Sequence, residues 1–214
     1  MKERRYEVVE KIYDFDELTE EAKEKARQIY SDHFKSADDY ETFCVDDLAN
    51  NHFEHSDLNV QFSLSYCQGD GFNIYGKVEL SDAIDFVLSE CEKEGTHEFD
   101  KQIKRFFNWL KTLGYTIELP QNYRYCYCYI SSCNFAFDLI DNLEQDGYTS
   151  GNKKHFEMLE EFDAYFKKYV EKLCNEYEQD GYKYFYEIED EEIKDIWEAN
   201  GYEGFYEDGT PCYS

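Results

Sequence analysis

The chain has 214 residues, 49 Asp and Glu against 22 Lys and Arg, and a formal net charge of −27. A chain so acidic is usually disordered when aromatic residues are few, but this one is 19% aromatic, with 21 Tyr and 17 Phe, so the composition excludes a disordered acidic tail and predicts a folded domain under a dense carboxylate shell. It also argues against direct binding of nucleic acid or an anionic membrane face, since both would be repelled.

Residues 5–13 read as a first strand, ended by Asp14-Phe15-Asp16. Thr19 is a good helix N-cap, and Glu20 and Glu21 suit the positive helix start. Helix one should run to about Phe34 with Ala22, Ala26, Ile29 and Tyr30 on one stripe, and a second should cover about 39–54 with Phe43, Leu48 and Phe53. Leu58, Val60, Phe62, Leu64 and Tyr66 alternate with polar residues, Gln68-Gly69-Asp70-Gly71 supplies turn chemistry, and Phe72 and Ile74 resume the alternation, which predicts a β-hairpin. Helices follow at about 81–92 and 99–113, the second closed by Gly114. A short strand is expected at 115–119 before Pro120. Residues 123–131 alternate again, Tyr123, Tyr125, Tyr127 and Tyr129 against Arg124, Cys126, Cys128 and Ile130, and predict a strand whose hairpin partner is Phe135, Phe137 and Leu139. A long helix is predicted at about 153–180 and a shorter acidic one at about 189–199. Gly204-Phe205-Tyr206 reads as an edge strand.

The pattern predicts an α+β fold, an antiparallel sheet of hairpins with helices packed on it and a helical acidic C-terminal region. We read residues 1–214 as a single domain, with a sub-division at residue 150 into a sheet-and-helix core and a C-terminal pair of acidic helices. No apolar run reaches the roughly 20 residues of a membrane span. The first residues lack a signal-peptide core, so the expectation is a cytoplasmic protein, monomer or homodimer, with its eight cysteines reduced.

Four groups of residues are candidates for function. The first is the acid of the two C-terminal helices: Glu176, Glu178, Asp180, Glu187, Glu189, Asp190, Glu191, Glu192, Asp195 and Glu198. Helical neighbours three or four apart lie about 5–6 Å from each other, so such rows imitate phosphate spacing and could occupy the basic groove of a nucleic-acid-binding protein. The bland alternative is a solvated, solubilising face. The second is the turn, where Gln68 and Asp70 are either contact residues or scaffold; read as scaffold, Asp70 should matter less than its glycines. The third is the tyrosine stripe Tyr125, Tyr127 and Tyr129, either core under a helix or an aromatic protein-binding patch. The fourth is Cys126, Cys128 and Cys133 with His52 and His55, which lack paired zinc-knuckle spacing and read as buried thiols; no metal and no cofactor is expected. No catalytic motif appears and the five histidines are scattered, so the chain is expected not to be an enzyme.

The hairpin residues Phe62-x4-Cys67-Gln68-Gly69-Asp70-Gly71-Phe72-x3-Gly76 resemble the F-x-x-x-x-SQGDGA-x-F-x-G signature of a family of small phage-encoded proteins commonly labelled antitoxin of toxin–antitoxin stability system. Phe15-Asp16-Glu17-Leu18-Thr19-Glu20-Glu21-Ala22-Lys23-Glu24-Lys25-Ala26, Leu173-Cys174-Asn175-Glu176-Tyr177-Glu178, and Glu198-Ala199-Asn200-Gly201-Tyr202-Glu203-x-Phe205 resemble three further segments of it, in order. Cys67 stands where that pattern has Ser, and Phe72 where it has Ala. The resemblance implies a phage or prophage origin. With the charge it leads to the expected function: an anti-defence inhibitor of a host nuclease, a CRISPR effector or restriction enzyme, whose partner is a basic nucleic-acid-binding protein. The alternatives are an antitoxin-like module that neutralises a basic toxin, and a phage accessory protein whose acidity only solubilises it.

Overall fold

The computed structural model describes residues 11–95, 101–133, 135–148 and 153–213, the side chains of 101–103, 132, 137 and 213 excepted. The described residues form an α+β fold in chain order α1 (Glu20–Phe34), α2 (Ala37–Asp47), β1 (Asp57–Ser63), β2 (Gly71–Glu79), α3 (Leu80–Glu94), α4 (Lys101–Leu110), β3 (Thr116–Leu119), α5 (Phe135–Gln145), α6 (Lys153–Tyr186), α7 (Asp190–Ala199), β4 (Tyr202–Phe205) and β5 (Pro211–Tyr213). Contacts gather the chain into two units: residues 1–39 with 182–214, and residues 40–181. A boundary at residue 150 coincides with neither break.

In the smaller unit, Thr19 caps α1 as its residue type demands, its hydroxyl accepting from the Ala22 N–H at 3.2 Å. Ala22, Ala26 and Tyr30 form the buried stripe of α1, and Ile193 and Trp197 form that of α7. With Phe15, Leu18 and Phe205 they make one core. β4 and β5 pair antiparallel, and Tyr13 extends the pairing through two backbone bonds to Phe205. Most of the strand expected over 5–13 lies outside the described residues.

In the larger unit, β1, β2 and β3 form an antiparallel sheet in that order, with Val60 opposite Ile74 and Val78 opposite Ile117. Ile74, Val78 and Ile117 are buried, as are Leu80 and Ile84 of α3, Phe107 and Leu110 of α4, and Phe166 and Tyr169 of α6. Each such side chain contributes about 1.5–3 kcal/mol on leaving water. The part of α6 in this unit packs closely: its Tyr177 ring lies 5.1 Å from Phe72, and a side chain at Gly181 would meet the Leu64 Cδ1 atom at 2.4 Å. Phe43 does not join the core; it is exposed.

Residues 123–131 are a correction. They form no strand: the segment runs irregularly into a 3-10 turn at Ile130–Ser132, and Phe135–Leu139 begins helix α5 instead of forming a hairpin partner. Alternation reports only that successive side chains face opposite ways. That part holds from Tyr125 on, since Tyr125, Tyr127 and Tyr129 are outward while Cys126 and Cys128 are half-buried and Ile130 is buried, but Arg124, expected on the inner face, is exposed. A ladder also needs a partner backbone. Here one side chain takes that place: the buried Asn73 of β2 donates from Nδ2 to the Pro120 carbonyl at 3.1 Å and accepts the Tyr129 N–H at 3.3 Å.

Candidate functional site

The carboxylates of α7 divide by face. Ile193 and Trp197 point inward, and the acids beside them are used internally. Asp190 Oδ1 accepts from Arg27 Nη2 at 2.7 Å and from its Nε at 2.9 Å. Glu192 Oε1 accepts from the Tyr30 hydroxyl at 2.8 Å and pairs with Lys35. Burial pushes Glu192 up, but Lys35 and Tyr30 outweigh it and hold the carboxyl below its ordinary range; the Asp190 contact holds the Arg27 guanidinium up. Lys194 reaches Asp16 at 2.8 Å and Glu191 at 3.3 Å.

The outer face differs. Glu191, Asp195 and Glu198 are exposed and spaced four and three residues apart, so they form one row, with the exposed Glu187 and Glu189 just before it. Among the described residues no ion pair engages Glu187, Glu189, Asp195 or Glu198. Two of the acids expected to face a partner, Asp190 and Glu192, are therefore part of the joint between α1 and α7. On the segment of α6 in the larger unit, Glu176 sits 3.9 Å from Lys172 and Glu178 is half-buried, its pKa raised by burial and by the charge of Asp70. Asp180 is exposed.

The turn Gln68–Gly71 and the tyrosine stripe, far apart in sequence, meet in space. A Cβ on Gly69 would lie 3.2 Å from the Tyr125 ring, and one on Gly71 would lie 2.6 Å from the Tyr127 Cα. The rings of Tyr125 and Tyr127 stack at 5.3 Å and 20°, and Tyr127 and Tyr129 follow at 6.1 Å. All three are exposed, at 45%, 41% and 44%, so the reading of the stripe as core is corrected. We expect Tyr127→Ala to cost no more than about 1 kcal/mol, against about 3–5 kcal/mol for truncating a fully buried ring such as Phe166. Urea unfolding of both variants checks it; equal losses would return the tyrosines to the core.

Asp70 is the organiser of this turn. Its Oδ2 accepts from the backbone N–H groups of Ser65 at 2.7 Å and Cys67 at 2.9 Å, and its Oδ1 accepts from the Ser63 hydroxyl at 2.8 Å and the Cys67 thiol at 3.2 Å. Partial desolvation raises its pKa, but these donors together hold the carboxyl well below its ordinary 3.8. An amide at this position presents only one acceptor oxygen and would turn an NH2 toward two donors, so Asp70→Asn is expected to weaken the turn, although read as scaffold from the sequence Asp70 should matter less than its glycines. Because the folded pKa is depressed, the turn's carboxylate bonds are fully present above about 3.8, the unfolded value, and are lost as pH falls through the lower folded value. Amide shifts of Ser65 and Cys67 are expected to stay constant from neutral pH down to about 3 and to move only in stronger acid. Movement already between about pH 5 and 3, the range in which ordinary carboxylates titrate, would mean that the bonds do not protect the charge. Gln68 is exposed beside this scaffold.

Cys126, Cys128 and Cys133 have different neighbours: Gln61 for Cys126, the buried Cys174 of α6 for Cys128, and a groove with Phe135 and Asn142 for Cys133. Among the described residues no three His, Cys, Asp or Glu side chains form a group that could hold a metal ion, and no helix is long and apolar enough to cross a membrane. The residue that sequence reading missed is Asn73. Its signal was present, a polar amide between Phe72 and Ile74 in an apolar strand.

No protein-family model, curated protein or solved structure matches the chain.

Proposed function

We propose that the chain is a phage-encoded inhibitor that occludes the basic nucleic-acid-binding surface of a bacterial host defence nuclease, without catalysis of its own. The observation that carries this reading is the split on α7: inner carboxylates are neutralised by Arg27, Lys35 and Tyr30, while Glu187, Glu189, Glu191, Asp195 and Glu198 face outward. Exposed acid also lies on other helices, such as Glu20, Glu21 and Glu24 on α1, but on α7 the outward Glu191, Asp195 and Glu198 stand opposite a neutralised inner face. A row at roughly phosphate spacing matches a groove that holds a nucleic-acid backbone, and attraction at that distance also speeds association. The exposed tyrosines supply a second surface of the kind enriched at protein interfaces. The motif resemblance supports the phage origin.

The reading is tested by titrating the protein into guide-loaded CRISPR effectors and restriction enzymes while target DNA binding is followed. Competitive loss of DNA binding by at least one nuclease, weakening as salt rises, is expected. Tight binding to a small basic toxin, with every nuclease left untouched, would replace it with the antitoxin-like alternative.

A further inference from the structure

The larger unit holds a concavity of about 350 Å³ that the acidic surfaces do not explain. It is lined by Arg105, Phe106 and Trp109 of α4, by His155 of α6, and by Tyr148. Its volume lies within the span of small-molecule pockets, roughly 300–1,000 Å³. The rings are already arranged in two stacked pairs: Phe106 on His155 at 4.1 Å and 16°, and Trp109 on Tyr148 at 4.9 Å and 27°. The Tyr148 hydroxyl is hydrogen-bonded to His155 Nδ1, which fixes the two pairs to each other. Burial, and then the charge of Lys154, hold the His155 pKa down, so the imidazole is neutral at pH 7.

Three features set this place apart. Trp109 is 37% exposed, a large flat ring left open to water. Among the described residues no carboxylate lines the pocket, in a chain with 49 acidic residues. Several basic side chains elsewhere meet acids: Arg27 meets Asp190, Lys111 meets Asp85, Lys172 meets Glu90, while among the described residues the exposed Lys77 and Arg124 meet none. Among the described residues no ion pair engages Arg105 or its exposed neighbour Lys104. Among the described residues, Arg105 thus presents a guanidinium without an acid partner beside an open indole.

We propose that this pocket binds a free mononucleotide, its base stacked on the Trp109–Tyr148 pair and its phosphate held by Arg105. Stacking on an aromatic platform suits any base and is strongest for the larger purines. The guanidinium fork matches phosphate oxygens in geometry and charge. The overall negative field does not forbid this, because charges more than about 8 Å away are largely screened at physiological salt. That same field disfavours a long strand, whose further phosphates would run onto the acidic surface. The site is independent of nuclease occlusion, and either can fail without the other.

The test is calorimetric titration of the full chain with AMP, with Trp109 emission followed in parallel. One saturable site of micromolar to about millimolar affinity is expected. Arg105→Gln and Trp109→Ala should each weaken it by roughly tenfold, by loss of a charged hydrogen-bond partner and of a stacking face. Trp109→Phe should keep most of the affinity. Adenosine, lacking the phosphate, should bind about tenfold more weakly than AMP. A single cooperative melting transition shows that the variants are folded; Arg105→Gln should leave its midpoint unchanged, since Arg105 is exposed, while Trp109→Ala, which removes the stack on Tyr148, should lower it by about 2–4 °C. Absence of saturable binding up to about 5 mM AMP, or affinity indifferent to Arg105→Gln, overturns the proposal. A 5′-phosphorylated single-stranded oligonucleotide that binds more tightly than AMP also overturns it, because the pocket then belongs to strand ends.

Discussion

Gly71→Val is expected to destabilise the larger unit by on the order of 4 kcal/mol, as backbone strain and overpacking each contribute about 1–3 kcal/mol. Gly71 opens β2 at φ +158°, and an added Cβ would sit 2.6 Å from the Tyr127 Cα and 2.9 Å from both its N and its Cβ. None of those atoms is the end of a flexible side chain, so relief requires the whole tyrosine segment to lift. That segment is tied down by Asn73 at Pro120 and Tyr129. The consequence reaches the surface as well as the core: the Tyr125–Tyr129 rings should lose their stacking along with their footing. Gly95 and Gly114 are the controls. They have φ +63° and +65°, and a side chain there would meet nothing within 4 Å, so Gly95→Ala and Gly114→Ala carry strain alone, about 1–2 kcal/mol. Urea unfolding of the three variants measures the difference. A loss for Gly71→Val no larger than for the two controls would mean that the tyrosine segment moves aside freely and is not built on the turn.

The same contact marks where the sequence could be read and where it could not. Periodicity located α1, α3, α6 and α7, because in each the side chains that repeat on one face are also the ones that bury, and alternation with turn chemistry located the β1–β2 hairpin, although Asn73 on its polar face is buried too. Thr19, Gly71 and Gly114 announced their places through backbone chemistry that few other residues supply. The tyrosine segment kept a strand's alternation without a strand's hydrogen bonds, because Asn73, some fifty residues earlier, provides the bonds through its side chain. The roles of individual acids were illegible for a similar reason. Asp190 and Glu191 are neighbours of the same chemistry, and only the position of Arg27 on α1 makes one a structural partner and leaves the other on the outer row. The aromatic pocket was hidden by distance as well, its rings being drawn from α4, Tyr148 and α6.

That division of acids leads to the prediction with the largest functional consequence. Charge neutralisation of the outer row and the acids just before it (Glu187, Glu189, Glu191, Asp195 and Glu198 to Gln or Asn) should leave the fold intact, since the like charges it removes three and four residues apart offset the exposed Glu191–Lys194 pair it also removes. Association with a nuclease target should slow by roughly tenfold or more at low salt, and its salt dependence should flatten. Neutralisation of the inner pair, Asp190→Asn with Glu192→Gln, should do the reverse. Each loses a charged hydrogen-bond partner across the α1–α7 joint, worth about 1 kcal/mol after allowance for its partial exposure, while the outer row is untouched. Trp197, buried beneath this joint, reports its loosening through the wavelength of its emission. Two variants of the same helix, each with acids turned to amides, are thus expected to separate: one stable and slow to bind, the other less stable but still attracted. If the outer-row variant unfolds as readily as the inner one, those carboxylates are structural and the row is no partner surface. If it folds and binds a nuclease as fast as the unaltered chain at every salt concentration, electrostatic imitation of a nucleic-acid backbone is not how that nuclease is engaged.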